Sequence, residues 1–348
     1  MIENPLKSEL VQSRAFRRAV AFVIGIGVPA LAALWFRQPG GMLLGAITAI
    51  MFSFADEEGP LTKRFTALGH SAGGIALGGA IGHLLGGYDW AFWMLFVAGA
   101  FGAAWLNRAD KSAHIGARLA VMALAIVAGT PDISWPEALF VVGSLAVTVL
   151  VRLADHAVFG PLPAASLPPR PVVPESDRFW LRFAAAYTAA ATLGLWAGLE
   201  LDPQHAMWVV ITTLVVMQPD DRSNYRRILE RIIGTLAGVA VAFVLTQFVR
   251  AEPLVFAALV VTAAALPHHI PVRYWLHTAA IALLVMLIYD LASRVAGDSG
   301  ALSPGLFKER VVDVLVGCLL ALVGTELGFR WGARVKPASI KTAPAQPD

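Results

Sequence analysis

The sequence predicts an all-α integral membrane protein of about twelve transmembrane helices, arranged as two parallel six-helix repeats. Three observations carry this. The chain is 57% apolar with only 15% charged residues, and its mean hydropathy of +0.66 lies well beyond soluble norms. Its charges gather in short clusters separated by uncharged runs of about 15 to 20 residues, the length a helix needs to cross a bilayer. Residues 18–78 also return as a faded copy at a constant offset of 164: Arg18 matches Arg182, Pro39 matches Pro203, Asp56 matches Asp220, Lys63 matches Arg227 and Gly74 matches Gly238.

Runs this apolar must satisfy their backbone groups internally, which selects helices, and the alternation of barrel strands is absent. The first run, 19–36, follows Arg14, Arg17 and Arg18 and contains Ala-x-Ala at Ala30–Ala32. It is long enough to span and has a counterpart after Arg182, so it is a retained helix rather than a signal peptide. Runs 39–54, 65–85, 90–106, 116–128 and 137–151 complete the first half. The second half answers with 183–199, 203–217, 228–248, 253–266, 274–289 and 311–329. Runs 116–128 and 253–266 are short, which leaves ten crossings as the alternative.

The resulting organisation is a first repeat over 1–158, a Pro/Ala-rich cytoplasmic linker over 159–177, a second repeat over 178–334 and a disordered tail over 335–348. With the N-terminus inside and twelve crossings, all but five of the 27 Lys and Arg residues fall on the cytoplasmic side. The exceptions are Arg37, Arg250, Arg294, Lys308 and Arg310. That is the bias the positive-inside rule demands, and nine of the ten tryptophans also land near interfaces. Both termini are then cytoplasmic. Six spans per half is an even number, so the repeats enter the membrane in the same direction, related by an axis along its normal.

Candidate site residues follow from charge at membrane depth. Arg227, Arg231, Gly234 and Gly238 step by 4, 3 and 4, one stripe on one helical face, which suits a seam that accepts anions. Against this stands snorkelling of both arginines to the interface. Glu230, four residues after Arg226, neutralises part of the cluster. Arg18 and Arg182 open the first span of each half, and Lys63 matches Arg227 across the repeat. Trp208 lies deeper than the other tryptophans, as a stacking surface or as helix packing. His277, inside an apolar run, is the better proton-coupling candidate, with Asp220 behind it as a cap first and a coupling group second.

Other chemistry is excluded or discounted. The sequence GHSAGG at residues 69–74 fits the Gly-x-Ser-x-Gly elbow, but it sits in a glycine-rich run that reads as a spanning helix, so packing is the preferred reading and no enzyme is expected. His268 and His269 have no spaced third ligand, so no metal site is expected. No phosphate loop or nucleotide fingerprint is present, so no cofactor is expected. Nothing resembles a nucleic-acid-binding patch. The one cysteine, Cys318, forms no internal disulfide.

Residues 208–238 resemble the membrane core of the FUSC family, the fusaric-acid-resistance-like and aromatic acid exporter proteins. The resemblance rests on Trp208 before a Val/Ile/Thr run, Gln218-Pro219-Asp220, the arginines at 226, 227 and 231, and Gly234-Thr235. The stretch ERVVDVLVGCLLAL at 309–322 is similar to the family's returning helix. It implies a bacterial inner-membrane protein with efflux of aromatic carboxylic acids, and adds Gln218 to the substrate path. More distantly, the chain is similar to plant aluminium-activated malate channels, whose subunits have six spans and pair around an anion pore. The first half departs from the pattern: Arg231 maps to Ala67, Gly234 to His70 and Trp208 to Leu44.

The expectation is therefore a transporter exporting small organic anions through the seam between its halves, driven by protons. The alternatives are a passive organic-anion channel and a non-transporting membrane scaffold or accessory subunit. Expected partners are the organic anion and the lipid bilayer, joined by a periplasmic adaptor protein and a homo-oligomer as in some exporters of this type.

Overall fold

The computed structural model describes residues 13–130, 133–163, 176–203, 205–219, 221–269, 273–297 and 302–330. Asp220, most of the expected linker and the whole of the expected tail lie outside these residues. Among the described residues the chain forms twelve helices. They are α1 (Arg14–Trp35), α2 (Pro39–Phe54), α3 (Leu61–Leu85), α4 (Trp90–Leu106), α5 (Lys111–Ala128), α6 (Trp135–Phe159), α7 (Asp177–Leu201), α8 (Met207–Val216), α9 (Asp221–Phe248), α10 (Glu252–His269), α11 (Tyr274–Val295) and α12 (Pro304–Arg330). Extended pairing among the described residues is confined to one antiparallel bridge, Gly59 to Leu162.

Local chemistry sets the ends. Ser13 accepts a hydrogen bond from the Phe16 N–H to start α1, and Asp89 does the same for Phe92 at the start of α4. Asp110 accepts from the N–H groups of Ser112 and Ala113 at the start of α5. The Ala113 bond is the main cause holding the Asp110 carboxyl below its ordinary range. α3 stops at Gly86, whose φ of +62° is the left-handed conformation that ends a helix.

Six helices are long and apolar enough to cross a membrane: α1, α5, α6, α9, α11 and α12. α3 and α7, at 25 residues each, match them in length but are less apolar. α2, α4, α8 and α10 supply shorter apolar segments. The long helices carry exposed apolar stripes at helical spacing, Val20, Ile24, Val28 and Leu31 on α1 and Leu315, Leu319, Val323 and Leu327 on α12. Stripes like these face lipid. The protein is a multi-pass membrane protein.

Six helices, α1, α3, α5, α7, α9 and α12, start a turn or more before hydropathy places them, because hydropathy marks the apolar slab and not the end of the hydrogen-bond ladder. α3 begins at Leu61 and takes in Lys63 and Arg64, α9 begins at Asp221 and takes in Arg226 and Arg227, and α12 begins at Pro304 and takes in Lys308 to Arg310. α8 is shorter than expected, ten residues against the predicted run 203–217.

Within the first half α1 packs on α2 and α6, α2 on α6, α3 on α5 and α4 on α5; within the second, α7 packs on α8 and α12, α8 on α12, α9 on α11 and α10 on α11. α9 also packs against α12, far more extensively than α3 against α6. Across the chain's midpoint α1 meets α10, α4 meets α7, α2 meets α11 and α5 meets α8. The two larger cores therefore each mix the halves. One joins α4 and α5 to α7, α8 and α12 through Phe92, Phe96, Trp180, Phe183 and Tyr187. The other joins α1 and α2 to α10 and α11 through Phe22, Ile26, Met42, Leu259 and Ile288. The simple seam between two bundles that the sequence suggests is replaced by this interlacing.

The tightest contacts use small residues. In lipid no hydrophobic force drives helix on helix, so association relies on the close approach of backbones. Cβ atoms added at Gly74 and Gly78 of α3 would collide with the carbonyl oxygens of Gly116 and Ala120 on α5. At Gly234 and Gly238 of α9 they would collide with the backbone of Trp275 and Ala279 on α11. Gly69 and Gly73, also read from the sequence as packing residues, meet nothing within 4 Å. Ser71 is buried in the middle of α3 and donates to the Ala67 carbonyl at 3.0 Å, so the serine lies on no elbow. Gly78→Ala is expected to destabilise by about 1–3 kcal/mol through overpacking, read as a lowered unfolding midpoint in detergent, whereas Gly73→Ala leaves the midpoint unchanged or raises it.

Candidate substrate cavity

The second half encloses a cavity where the start of α8, the end of α11 and the start of α12 converge. Trp208 enters from the first turn of α8, Tyr289 from α11, and Glu309, Arg310 and Asp313 from α12. His205 closes one side from the α7–α8 turn, and Val285, Met286 and Leu306 form the apolar wall. Arg310, Asp313 and Trp208 are deeply buried, with exposures of 4%, 2% and 6%.

Their geometry leaves polar capacity unfilled. The Arg310 guanidinium lies 4.0 Å from the centre of the Trp208 ring. The Tyr289 ring stands 6.0 Å from Trp208 and 6.0 Å from His205. Arg310 Nε and Nη1 make no hydrogen bond, and neither does Asp313 Oδ2, although Arg310 and Asp313 are three residues apart on one helix face. A ring face offsets a desolvated cation by about 2 kcal/mol, less than the several kcal/mol that burial costs it. Arg231 of α9, 5% exposed and with an unbonded Nε, adds like-charge repulsion to Arg310. A guanidinium with free donors can accept a carboxylate, and the aromatic face beside it offers an apolar contact.

At the cavity's edge His205 Nδ1 lies 2.6 Å from Asp202 Oδ2 and 3.9 Å from Glu309 Oε2. Asp202, His205 and Glu309 each offer one ligand atom, all within 4.8 Å of one another, and are the described residues that could hold a metal ion. Their spacing in sequence hides them, since Glu309 arrives from a different helix. The cavity measures about 10 Å³, close to the room one water needs. Anything larger than a water therefore enters only when these helices part.

The structure brings two of the sequence-predicted residues, Trp208 and Arg231, to this region and scatters the others. Arg227 is half-buried with its guanidinium 5.9 Å from the Tyr274 ring centre. Arg226 pairs with Glu230 at 2.6 Å, the expected self-neutralisation. Gly234 and Gly238 of the stripe pack on the α11 backbone, while Arg231 lies near Arg310 of α12. Arg182 is exposed, unlike its counterpart Arg18. Lys63 is exposed and 3.3 Å from Glu57. Gln218 donates to the Val215 carbonyl within its own chain turn. His277 is half-buried, its ring 5.2 Å from Phe54 of α2 and 6.3 Å from Tyr274. Asp220 lies outside the described residues.

Sequence reasoning misses Arg310, Asp313, Tyr289 and His205. Hydropathy starts the last span at Val311 and so leaves Arg310 in an outer loop. The available signal is the pairing of Arg310 with Asp313 three residues on, leading an apolar run without a break.

The first half holds a second buried charge cluster. Arg17 Nε and Nη2 donate to the two Asp155 oxygens at 2.7 and 2.9 Å. Arg64 donates to both Asp56 oxygens at 2.9 Å and to Asp155 at 2.6 Å. Arg152 donates to the carbonyls of Arg64 and Phe52 at 2.7 Å each. These bonds tie α1, the α2–α3 turn and α6 together.

Residues 185–324 match the family described as fusaric acid resistance protein-like, and that range contains Trp208, His205, Arg231, Tyr289, Arg310 and Asp313. The inner membrane protein YccS of Escherichia coli K12 is 34% identical over 117 residues, 34% of this chain and 15% of that protein. The uncharacterized protein YhfK of the same organism is 24% identical over 145 residues, 42% of this chain and 20% of that protein. The chain thus matches no more than a fifth of the length of either relative. No solved structure matches.

Asp155→Asn is expected to cost about 3–5 kcal/mol, because it removes the carboxylate charge that the buried Arg17 and Arg64 share. Asp177→Asn, which breaks an exposed pair with Arg108, is expected to cost less than about 1 kcal/mol. Thermal unfolding of both variants in detergent micelles checks the contrast.

Proposed function

We propose that this membrane protein, whose residues 185–324 match the fusaric acid resistance protein-like family, exports small organic anions, aromatic carboxylic acids above all, across a bacterial inner membrane. One observation carries the reading: the buried Arg310 guanidinium rests on the Trp208 ring with two of its nitrogens unbonded. Arg310 takes the substrate carboxylate, Trp208 and Tyr289 take its ring, and Arg231 raises the local positive potential. The relative YccS is named an inner membrane protein, which supports the location.

Two parallel repeats, α1–α6 and α7–α12, form the scaffold of this reading. The constant offset of 164 supports it. So does the matching of pairs: α1–α2 with α7–α8, α2–α6 with α8–α12, α3–α5 with α9–α11, α1–α10 with α7–α4, and α2–α11 with α8–α5. With a cytoplasmic N-terminus, the start of α12 and the end of α11 lie outward, so the cavity belongs to the periplasmic half of the path.

Asp313 is the coupling group. It faces Arg310 and Glu309 on its own helix, Asp202 and His205 from the α7–α8 turn, Tyr289 from α11, and Arg231 from α9 beyond Arg310. When a carboxylate occupies Arg310, Asp313 loses its nearest cation and takes a proton, so acid and proton cross together and export follows the substrate's own outward gradient rather than the inward pull on protons. This replaces His277 as the first candidate, since His277 packs against Phe54 away from the cavity.

Uptake of an aromatic acid into inside-out vesicles tests the function. Hydrogen bonds to a charged group contribute about 1.5–3 kcal/mol, so Arg310→Gln is expected to lower uptake at fixed substrate by about tenfold to a hundredfold. The surface variant Arg108→Gln is expected to match the wild type. Asp313→Asn is expected to bind substrate but to lose acceleration by a proton gradient. Unchanged uptake in Arg310→Gln would remove the proposed site, and unitary currents independent of protons would establish a channel instead.

A further inference from the structure

Arg18 has no counterpart to the bonds that satisfy its neighbours. It is 7% exposed, its Nε is buried without a hydrogen bond, and its guanidinium lies 5.7 Å from the Phe22 ring centre. Arg17, Arg64 and Arg152 surround Asp56 and Asp155, so with Arg18 four buried guanidiniums face two carboxylates. The outer charges cancel among themselves, Arg14 with Glu58 at 2.6 Å and Lys63 with Glu57 at 3.3 Å. Two positive charges are left over inside the bundle.

Arg18 and Arg152 line one small pocket between α1, α2 and α6, together with Phe22, Ser53, Asp56 and Thr148. Arg152 spends its two terminal nitrogens on carbonyls, and its Nε sits 3.5 Å from Asp56. Asp56 is the one carboxylate in the wall, and Arg64 already occupies both of its oxygens. Ser53 and Thr148 donate their hydroxyl hydrogens to the helix carbonyls of Ala49 and Ser144 at 2.8 Å each. The unspent donors therefore belong to Arg18. The pocket measures about 10 Å³, room for one particle the size of a water. Carboxylates and phosphates are larger, while a halide is close to a water in size.

We propose that the pocket between Arg18 and Arg152 binds a single monatomic anion, chloride, which neutralises part of the excess positive charge and locks α1 to α2 and α6. This site is separate from the cavity at Trp208 and holds or fails independently of the transport reading.

The full chain purified in micelles, in gluconate buffer of constant ionic strength, is titrated with chloride or bromide while thermal unfolding is followed. The expected result is a saturable rise in midpoint with either halide, none with sulfate, and one radiolabelled chloride bound per chain. Arg18→Gln is expected to lose the halide response and the bound chloride. Because that variant removes an unpaired buried charge, its midpoint in gluconate is expected to equal or exceed the wild type's. Equal unfolding of the wild type in chloride and gluconate would overturn the site, leaving a water in the pocket. So would an equal response to sulfate, or a halide response that survives Arg18→Gln. Should the variant fail to accumulate, chloride counting on the wild type decides alone, with none bound rejecting the site.

Discussion

A charge placed among apolar helices has to be answered from within the chain, and this requirement organises the molecule. Neither lipid nor water is available to satisfy a guanidinium at depth. In the first half the answers are short bonds from Arg17, Arg64 and Arg152 to two aspartates and two helix carbonyls. They join the ends of helices that are far apart in sequence. In the second half the answer to Arg310 is a ring face, which satisfies the charge poorly and leaves its donors unused. Arg17, Arg64 and Arg152 differ from Arg310 in the partners the fold gives them, not in their burial.

The two halves carry matching helix contacts with different side chains. Arg18 and Arg182 stand at equivalent positions, yet one is buried and the other exposed. Phe22, Arg152 and Asp56 cover Arg18. At the end of α12 the chain instead carries Glu326, whose carboxylate accepts from the Tyr225 hydroxyl. The loss of Arg231 and Trp208 at the matching places in the first half, Ala67 and Leu44, points the same way.

Much of the fold is legible in the sequence, because hydropathy and charge clustering read the cost of transferring each segment into lipid. All twelve helices lie where uncharged runs place them. Gly74, Gly78, Gly234 and Gly238 are readable as close-packing positions by their four-residue spacing, and each touches a neighbouring helix. The neighbour itself is not readable, since periodicity identifies a face without saying what meets it. For that reason the stripe names a face, and only the fold shows that its glycines, Gly234 and Gly238, meet α11. The cavity is half legible: Trp208 and Arg231 stand out by depth, but Arg310 requires knowing that α12 begins a full turn and more before its apolar run.

α8 has ten residues, which at 1.5 Å per residue covers about 15 Å, half the thickness of the hydrocarbon core. Neither of its ends reaches a headgroup layer unless the other sinks deep. A bilayer is therefore crossed at α8 only with the help of the turns that flank it, at 202–206 and 217–219. Each elementary charge moved through the full potential involves about 2.3 kcal/mol per 100 mV. Trp208 sits at the first turn of this short helix beside the buried Arg310 charge, so any shift of that charge along the membrane normal would carry a share of this electrical work.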